Sequence, residues 1–288
     1  MSGAIPLQAR FGPMGTEMML HRSIRAMAAL ALALTTPALA AGDLLVAPTR
    51  VVLDGARGTE VILNNIGAET ATYRVSLELR RMRPDGSLEE LDAANPDAHD
   101  AATLGMISYA PRRVVLPPNQ PQAIRIGVRA PQGLADGEYR AHMLFRAIPD
   151  AKPAVPSAVK PEGVSISLTP IYGVTIPIIV RQGSLSATAA IADPRVIATE
   201  HGPAIAFKLT RQGNRSTYGR IRVTKPGFDK PLVEARGIAV YAEIPERTVM
   251  LPVSAEVAAQ LKGPAKIEYL EDNDAGGGTI AELQAVIR

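Results

Sequence analysis

Residues 44–65 read LLVAPTRVVLDGARGTEVILNN, two aliphatic and β-branched runs, Leu44 to Leu53 and Thr59 to Asn65, divided by the turn dipeptide Asp54-Gly55. Val, Ile and Thr suit the pleated, half-buried surface of a strand, and Asp-Gly tolerates the tight turn between two of them. The same grammar repeats downstream. Thr70 to Met82, Ile107 to Leu116, Gln122 to Val128, Glu138 to Ile148 and Val164 to Arg181 read as further strands, with turns at Asp85-Gly86 and Asp136-Gly137. Seven short strands in this span predict an antiparallel sandwich of immunoglobulin type.

Past Arg181-Gln182-Gly183 a second, smaller set begins: Ala187 to Ala192, Ala204 to Leu209, Tyr218 to Thr224, Leu232 to Tyr241, Thr248 to Pro252, Ala265 to Leu270 and Thr279 to Ile287. One short helix is expected between Ser254, a capping residue, and Gly263, a terminator. The expected fold class is all-β, with two immunoglobulin-like β-sandwich domains, 41–182 and 183–288. The Pro- and Ala-rich stretch from Asp150 to Pro161 reads as a loop inside the first.

Composition narrows the chemistry. Of 288 residues, 47% are hydrophobic but only 4% aromatic, so the core is built from Val, Ile, Leu and Ala. There is no cysteine, which excludes disulfides, thiolate metal sites and a cysteine nucleophile. A formal net charge of +3 with 20% charged residues is too mild and dispersed for nucleic-acid binding.

The first forty residues read as an address. His21, Arg22 and Arg25 precede an apolar run from Ala26 to Leu34, followed by the small-residue triplet Ala38-Leu39-Ala40. That order predicts a secretory signal peptide over residues 1–40, cleaved after Ala40, with Met18 or Met19 as a more ordinary start. The run is about half of the roughly 20 residues a membrane-spanning helix needs, so the chain is read as exported and not membrane-spanning.

An ordered set of segments resembles the PapD-like periplasmic chaperones of the chaperone-usher pilus pathway. The set comprises Ala47 to Gly55, Val61 to Asn65, Arg113 to Asn119 with Ile124-Arg125-Ile126, Glu138 to Pro149, Thr248 to Pro252 with Ser254, and Asn273 to Gly277. The resemblance covers nearly the whole chain beyond residue 40. It implies two sandwiches in a boomerang arrangement, a periplasmic location, no enzymatic activity and no cofactor. Implied partners are pilin-like subunits and an outer-membrane usher, with a self-capping homodimer in the absence of client. The implied work is donor-strand complementation, in which a subunit lacking its last strand is covered by a strand of the chaperone. In the cell, that work serves fimbrium assembly and cell wall organization.

Particular residues follow from the resemblance. Arg50 matches the cleft arginine that resembles a clamp for the subunit's C-terminal carboxylate, a task suited to a planar, permanently charged guanidinium. Val164, Ile166 and Leu168, alternating with polar residues, match the donor strand. Glu138, Arg181 and Asp274 match an interdomain salt-bridge network. The family's cleft lysine, four residues before the domain-end arginine, falls here on Pro177, so the second half of the anchor is missing; Thr175 and Tyr172 nearby retain hydrogen-bond donors. Because Pro177 lacks a ladder donor, it is expected at an edge or bulge. Asp136, Gly137 and Tyr139 fit the tyrosine corner of an immunoglobulin sixth strand, with Ala141 where antibody domains carry cysteine.

Other chemistry is not suggested by the sequence. His21, His99, His142 and His201 show no metal-ligand spacing, Gly276-Gly277-Gly278 lacks the ending of a phosphate-binding loop, and no nucleophile elbow is present. The alternative is an exported structural or adhesive sandwich protein that is itself a polymer component. Such a protein would carry a donor extension before its first strand, and Ala41 to Asp43 is too short for one.

Overall fold

The computed structural model describes residues 44–54, 58–149, 170–271 and 277–288, all within one compact unit running from Gly42 to Arg288. The expected signal peptide at 1–40, the candidate donor residues Val164, Ile166 and Leu168, and Asp274 lie outside the described residues.

The chain is nearly all β. In order, the strands are β1 (Leu44–Ala47), β2 (Val51–Asp54), β3 (Thr59–Asn65), β4 (Ala71–Met82), β5 (Leu88–Leu91), β6 (Ile107–Ala110), β7 (Arg113–Leu116), β8 (Pro121–Val128), β9 (Gly137–Ile148) and β10 (Gly173–Gln182). They continue as β11 (Ala187–Thr199), β12 (Gly202–Gly213), β13 (Thr217–Thr224), β14 (Val233–Val240), β15 (Glu246–Pro252), β16 (Gly263–Leu270) and β17 (Thr279–Ile287). Helix α1 (Ala98–Met106) precedes β6, and α2 (Ala255–Leu261) precedes β16.

Among the described residues every ladder stays on one side of Gly183. The first half stacks a sheet of order β1-β3-β8-β6 on one of order β2-β10-β9-β4-β5, with β7 also on β4. The second half stacks β11-β12-β15 on β14-β13-β16-β17. Each pair of sheets closes over its own aliphatic core. Val61, Leu63, Ile124, Phe145 and Ile178 fill the first, and Ile205, Phe207, Leu209, Ile221 and Tyr269 the second.

Several expected boundaries move. Leu44 to Leu53 divides at Pro48 to Arg50, where the chain leaves β3 and crosses to pair in parallel with β10. A proline without an N–H ends the first ladder there. Ile107 to Leu116 likewise divides at Pro111, because β6 pairs with β8 and β7 with β4 in the opposite sheet. Of the expected strand from Val164 to Arg181, the described part forms β10 from Gly173, and Pro170, Ile171 and Tyr172 before it are not in a strand; 164–169 lie outside the described residues.

β5 and α1 were not anticipated. The signal for α1 was nonetheless local: Asp97 caps it, accepting from the backbone of Asp100 at 2.8 Å. The expected helix after Ser254 forms, with Ser254 Oγ accepting from Val257 N. The tyrosine corner forms too, Tyr139 donating to the Ala135 carbonyl at 2.9 Å.

Phe207 is fully buried in the second core. Phe207→Ala is expected to destabilise the chain by about 3 to 5 kcal/mol, read by urea unfolding; a change below about 1 kcal/mol would contradict this packing.

Candidate functional site

Strand alternation sorts β9 and β10 into two faces. Met143, Phe145, Ile176 and Ile178 point into the first core, while Ile179, with Met82, Tyr241 and Ala239, forms a separate buried cluster joining the two sandwiches. The outer face of the β2-β10-β9-β4 sheet is therefore the seam against the second sandwich. It carries an unusual density of charge.

Glu138 on β9 is only 6% exposed. Its Oε2 accepts from Ser216 N at 3.1 Å, Ser216 Oγ at 2.9 Å and Arg181 Nε at 3.3 Å. Ser216 belongs to the second sandwich, immediately before β13, so this one oxygen joins both halves. The structure thus brings Glu138 and Arg181 together on neighbouring strands; Ser216 is a partner the sequence reading missed, since a lone serine before a strand carries no signal.

One rung along, Arg140 Nη2 donates to Glu243 Oε1 at 2.5 Å and to the Arg80 carbonyl at 2.7 Å, and its guanidinium lies 3.5 Å from the Tyr241 ring centroid. Glu243 Oε1 also accepts from Met82 N at 2.8 Å. The β4–β5 turn adds a backbone bond, Thr248 N to Pro84 O at 2.7 Å. Gly86 at its tip, with φ of +86°, lies so close to Arg247 that a Cβ would collide with the guanidinium.

Arg50 sits directly before β2 on this face. Its guanidinium lies 4.4 Å from the Tyr218 ring centroid across the seam, and burial pulls its pKa below the ordinary arginine value. Among the described residues its buried Nε and Nη2 have no hydrogen-bond partner. Arg140, Arg181 and Arg80 are all matched to carboxylates, and Arg50 is not.

Beside it, β10 is paired along its whole length with β9, from Gly173↔Arg146 to Gln182↔Gly137. On its other side it meets β2 only from Ile178 to Arg181. Among the described residues, Gly173 to Pro177 therefore present one open strand edge, and Arg50 stands at its inner end. Pro177 occupies the last position of that one-sided stretch, the environment in which a missing N–H is tolerated.

His142, opposite Pro177 on β9, is 1% exposed, and both ring nitrogens lack partners among the described residues. Burial, reinforced by Arg140 and Arg80, lowers its pKa from 6.5 to about 3.

Asp97, His99 and Asp100 place ligand-type atoms within 4.8 Å of one another, a grouping that sequence spacing had not suggested. Each already has a task. Asp97 caps α1, Asp100 pairs with Arg81 at 3.1 Å, and His99 stacks on Tyr139 at 4.5 Å.

No family model and no curated protein matches the chain. Solved structures do resemble it. The YadV chaperone is 15% identical, with 85% of this chain and all of that one covered at a TM-score of 0.42. The Escherichia coli chaperone DraB is 14% identical, with 85% and 96% covered at 0.42. The complex of SafA pilin with the SafB chaperone from Salmonella enterica is 16% identical, with 84% and 95% covered at 0.42.

Two outcomes are expected. Glu138→Ala leaves Arg181 and the Ser216 donors unmatched and should cost about 3 to 5 kcal/mol in urea unfolding; a loss under 1 kcal/mol would deny Glu138 its joining role. For His142, the unfolded chain takes up a proton below pH 6.5 and the folded chain does not until about pH 3. Its contribution therefore leaves stability unaffected above pH 6.5 and reduces it progressively between 6.5 and 3, by at most about 1.4 kcal/mol per pH unit. Relative to His142→Gln, the wild type should lose stability over that window, and parallel pH profiles would refute the assignment.

Proposed function

We propose that this chain is a periplasmic chaperone that holds pilus or fimbrial subunits by donor-strand complementation and passes them to an outer-membrane usher. The supporting observation is the juxtaposition of the open β10 edge, Gly173 to Pro177, with the buried, unmatched guanidinium of Arg50. An extended segment added along that edge would gain main-chain hydrogen bonds, with a terminal carboxylate held by Arg50. A sandwich missing one strand exposes apolar surface and unpaired backbone, and such an edge covers both.

In this reading residues 1–40 are the export signal, 41–182 the subunit-binding domain and 183–288 its companion, with Asp274 as a third member of the Glu138–Arg181 pair. Val164, Ile166 and Leu168 are the donor residues that fill the client's groove. A second copy of the chain covers the edge when no client is present. The role is one of binding, without catalysis or cofactor.

The test is co-expression in the periplasm with a pilin-like subunit encoded beside this gene, followed by co-purification with wild type and Arg50→Ala. A charge-assisted hydrogen bond contributes about 1.5 to 3 kcal/mol, so the variant should bind roughly ten-fold or more weakly. Equal capture would remove Arg50 from the anchor, and no capture of any such subunit by the wild type would refute the function.

A further inference from the structure

Among the seam-face side chains with buried polar atoms that nothing described satisfies are Arg50 and His142, beside Nε and Nη1 of Arg140. An unmet buried polar group costs about 1 to 3 kcal/mol, and folded proteins keep few of them. Their placement is not scattered. In the parallel β2–β10 ladder Val51 faces Ile178, so Arg50 stands level with Pro177; in the antiparallel β10–β9 ladder Pro177 faces His142. The two orphaned groups thus occupy one rung, separated by a residue whose side chain has no polar atom.

Neighbouring strands are about 4.8 Å apart, so roughly 10 Å separates the two backbones, a span that an extended arginine and an imidazole close from opposite ends around one small anion. The nearby charges are each held by a partner. Glu78, opposite His142 on β4, is held by Arg80 at 2.9 Å, and Arg140 is tied to Glu243 and stacked on Tyr241. Arg140 keeps Nε and Nη1 unmatched among the described residues but is fixed by those two contacts, whereas His142 lies on the rung of Arg50 itself, one ring nitrogen of the neutral imidazole always carrying a proton.

We infer that His142 is the second hydrogen-bond donor to the carboxylate that Arg50 receives, so that the anchor is one guanidinium and one neutral imidazole astride Pro177. This rests on the reading of the β10 edge as a strand-binding site. Tyr241 stands edge-on to the imidazole at 6.5 Å, and the carboxylate enters beside it from the Arg50 end.

The experiment uses chain 41–288 and a synthetic twelve-residue peptide of alternating apolar and polar residues, prepared with a free C-terminal carboxylate and as its C-terminal amide. Wild type should bind the acid about ten-fold or more tightly than the amide, Arg50→Ala should lose that preference, and His142→Leu should reduce it several-fold while binding the amide as wild type does. His142→Gln, which keeps a donor, should recover part of the preference. Retention of the full acid preference by His142→Leu, with Arg50→Ala losing it, overturns the role of His142 alone. Equal binding of acid and amide by wild type overturns the carboxylate anchor, and binding of neither overturns the strand-edge reading with it. Should His142→Leu fail to fold, ¹⁵N-histidine spectra of the wild type decide: the His142 ring nitrogens must shift with the acid and stay in place with the amide, and their indifference to both overturns the inference.

Discussion

One carboxylate oxygen carries the junction between the two sandwiches. Glu138 Oε2 belongs to a buried side chain and takes two hydrogen bonds from Ser216, on the second sandwich, and one from Arg181, on the first. A buried charge is tolerable only when its lone pairs are met, and the partners that meet it are contributed by both halves. The relation between β9, the end of β10 and the start of β13 is therefore tied to a single requirement. Arg140, Glu243 and Met82 repeat the device one rung away, and the Pro84 to Thr248 backbone bond secures the far end.

That requirement explains why the seam is polar when each core is not. Two sandwiches with aliphatic interiors could have met through a larger apolar surface, yet among the described residues the buried apolar contact is the small cluster of Met82, Ile179, Ala239 and Tyr241, with Val52, Tyr218 and Ile244 packed against it. Around that small cluster the contacts are guanidinium, carboxylate and tyrosine. Such a seam demands particular geometry because each misplaced group would leave another unpaired. It also leaves buried donors unmatched among the described residues, Arg50 and His142 included.

Much of the fold was legible along the chain. Period-two alternation and Asp-Gly turns located most strands, and Ser254 with Gly263 bracketed α2. What escaped was decided by pairing. Leu44 to Leu53 is one continuous β-favouring run, yet it serves two sheets because β3 and β10 compete for its backbone on either side of Pro48. β5 was missed because Leu88 to Leu91, with two central glutamates and three of its four residues exposed, has no buried face to generate a pattern. Of the site, Arg50, Glu138 and Arg181 could be named from the resemblance, whereas Ser216, Glu243 and His142 could not.

By itself the sequence determined the class of the molecule: an aliphatic, cysteine-free β protein in two sets of strands. Those properties follow from local propensity and residue chemistry, which act over a few residues and are written in order along the chain. Only the tertiary structure decided which charges found partners. Glu138 and Ser216 are far apart in sequence, Arg140 and Glu243 farther still, and their meeting depends on how two sheets stack and where a third strand ends. For the same reason, the one-sided pairing of β10 from Gly173 to Pro177 among the described residues follows from β2 beginning only at Val51, because an open edge is defined by the absence of a neighbour and leaves no mark on the strand that bears it.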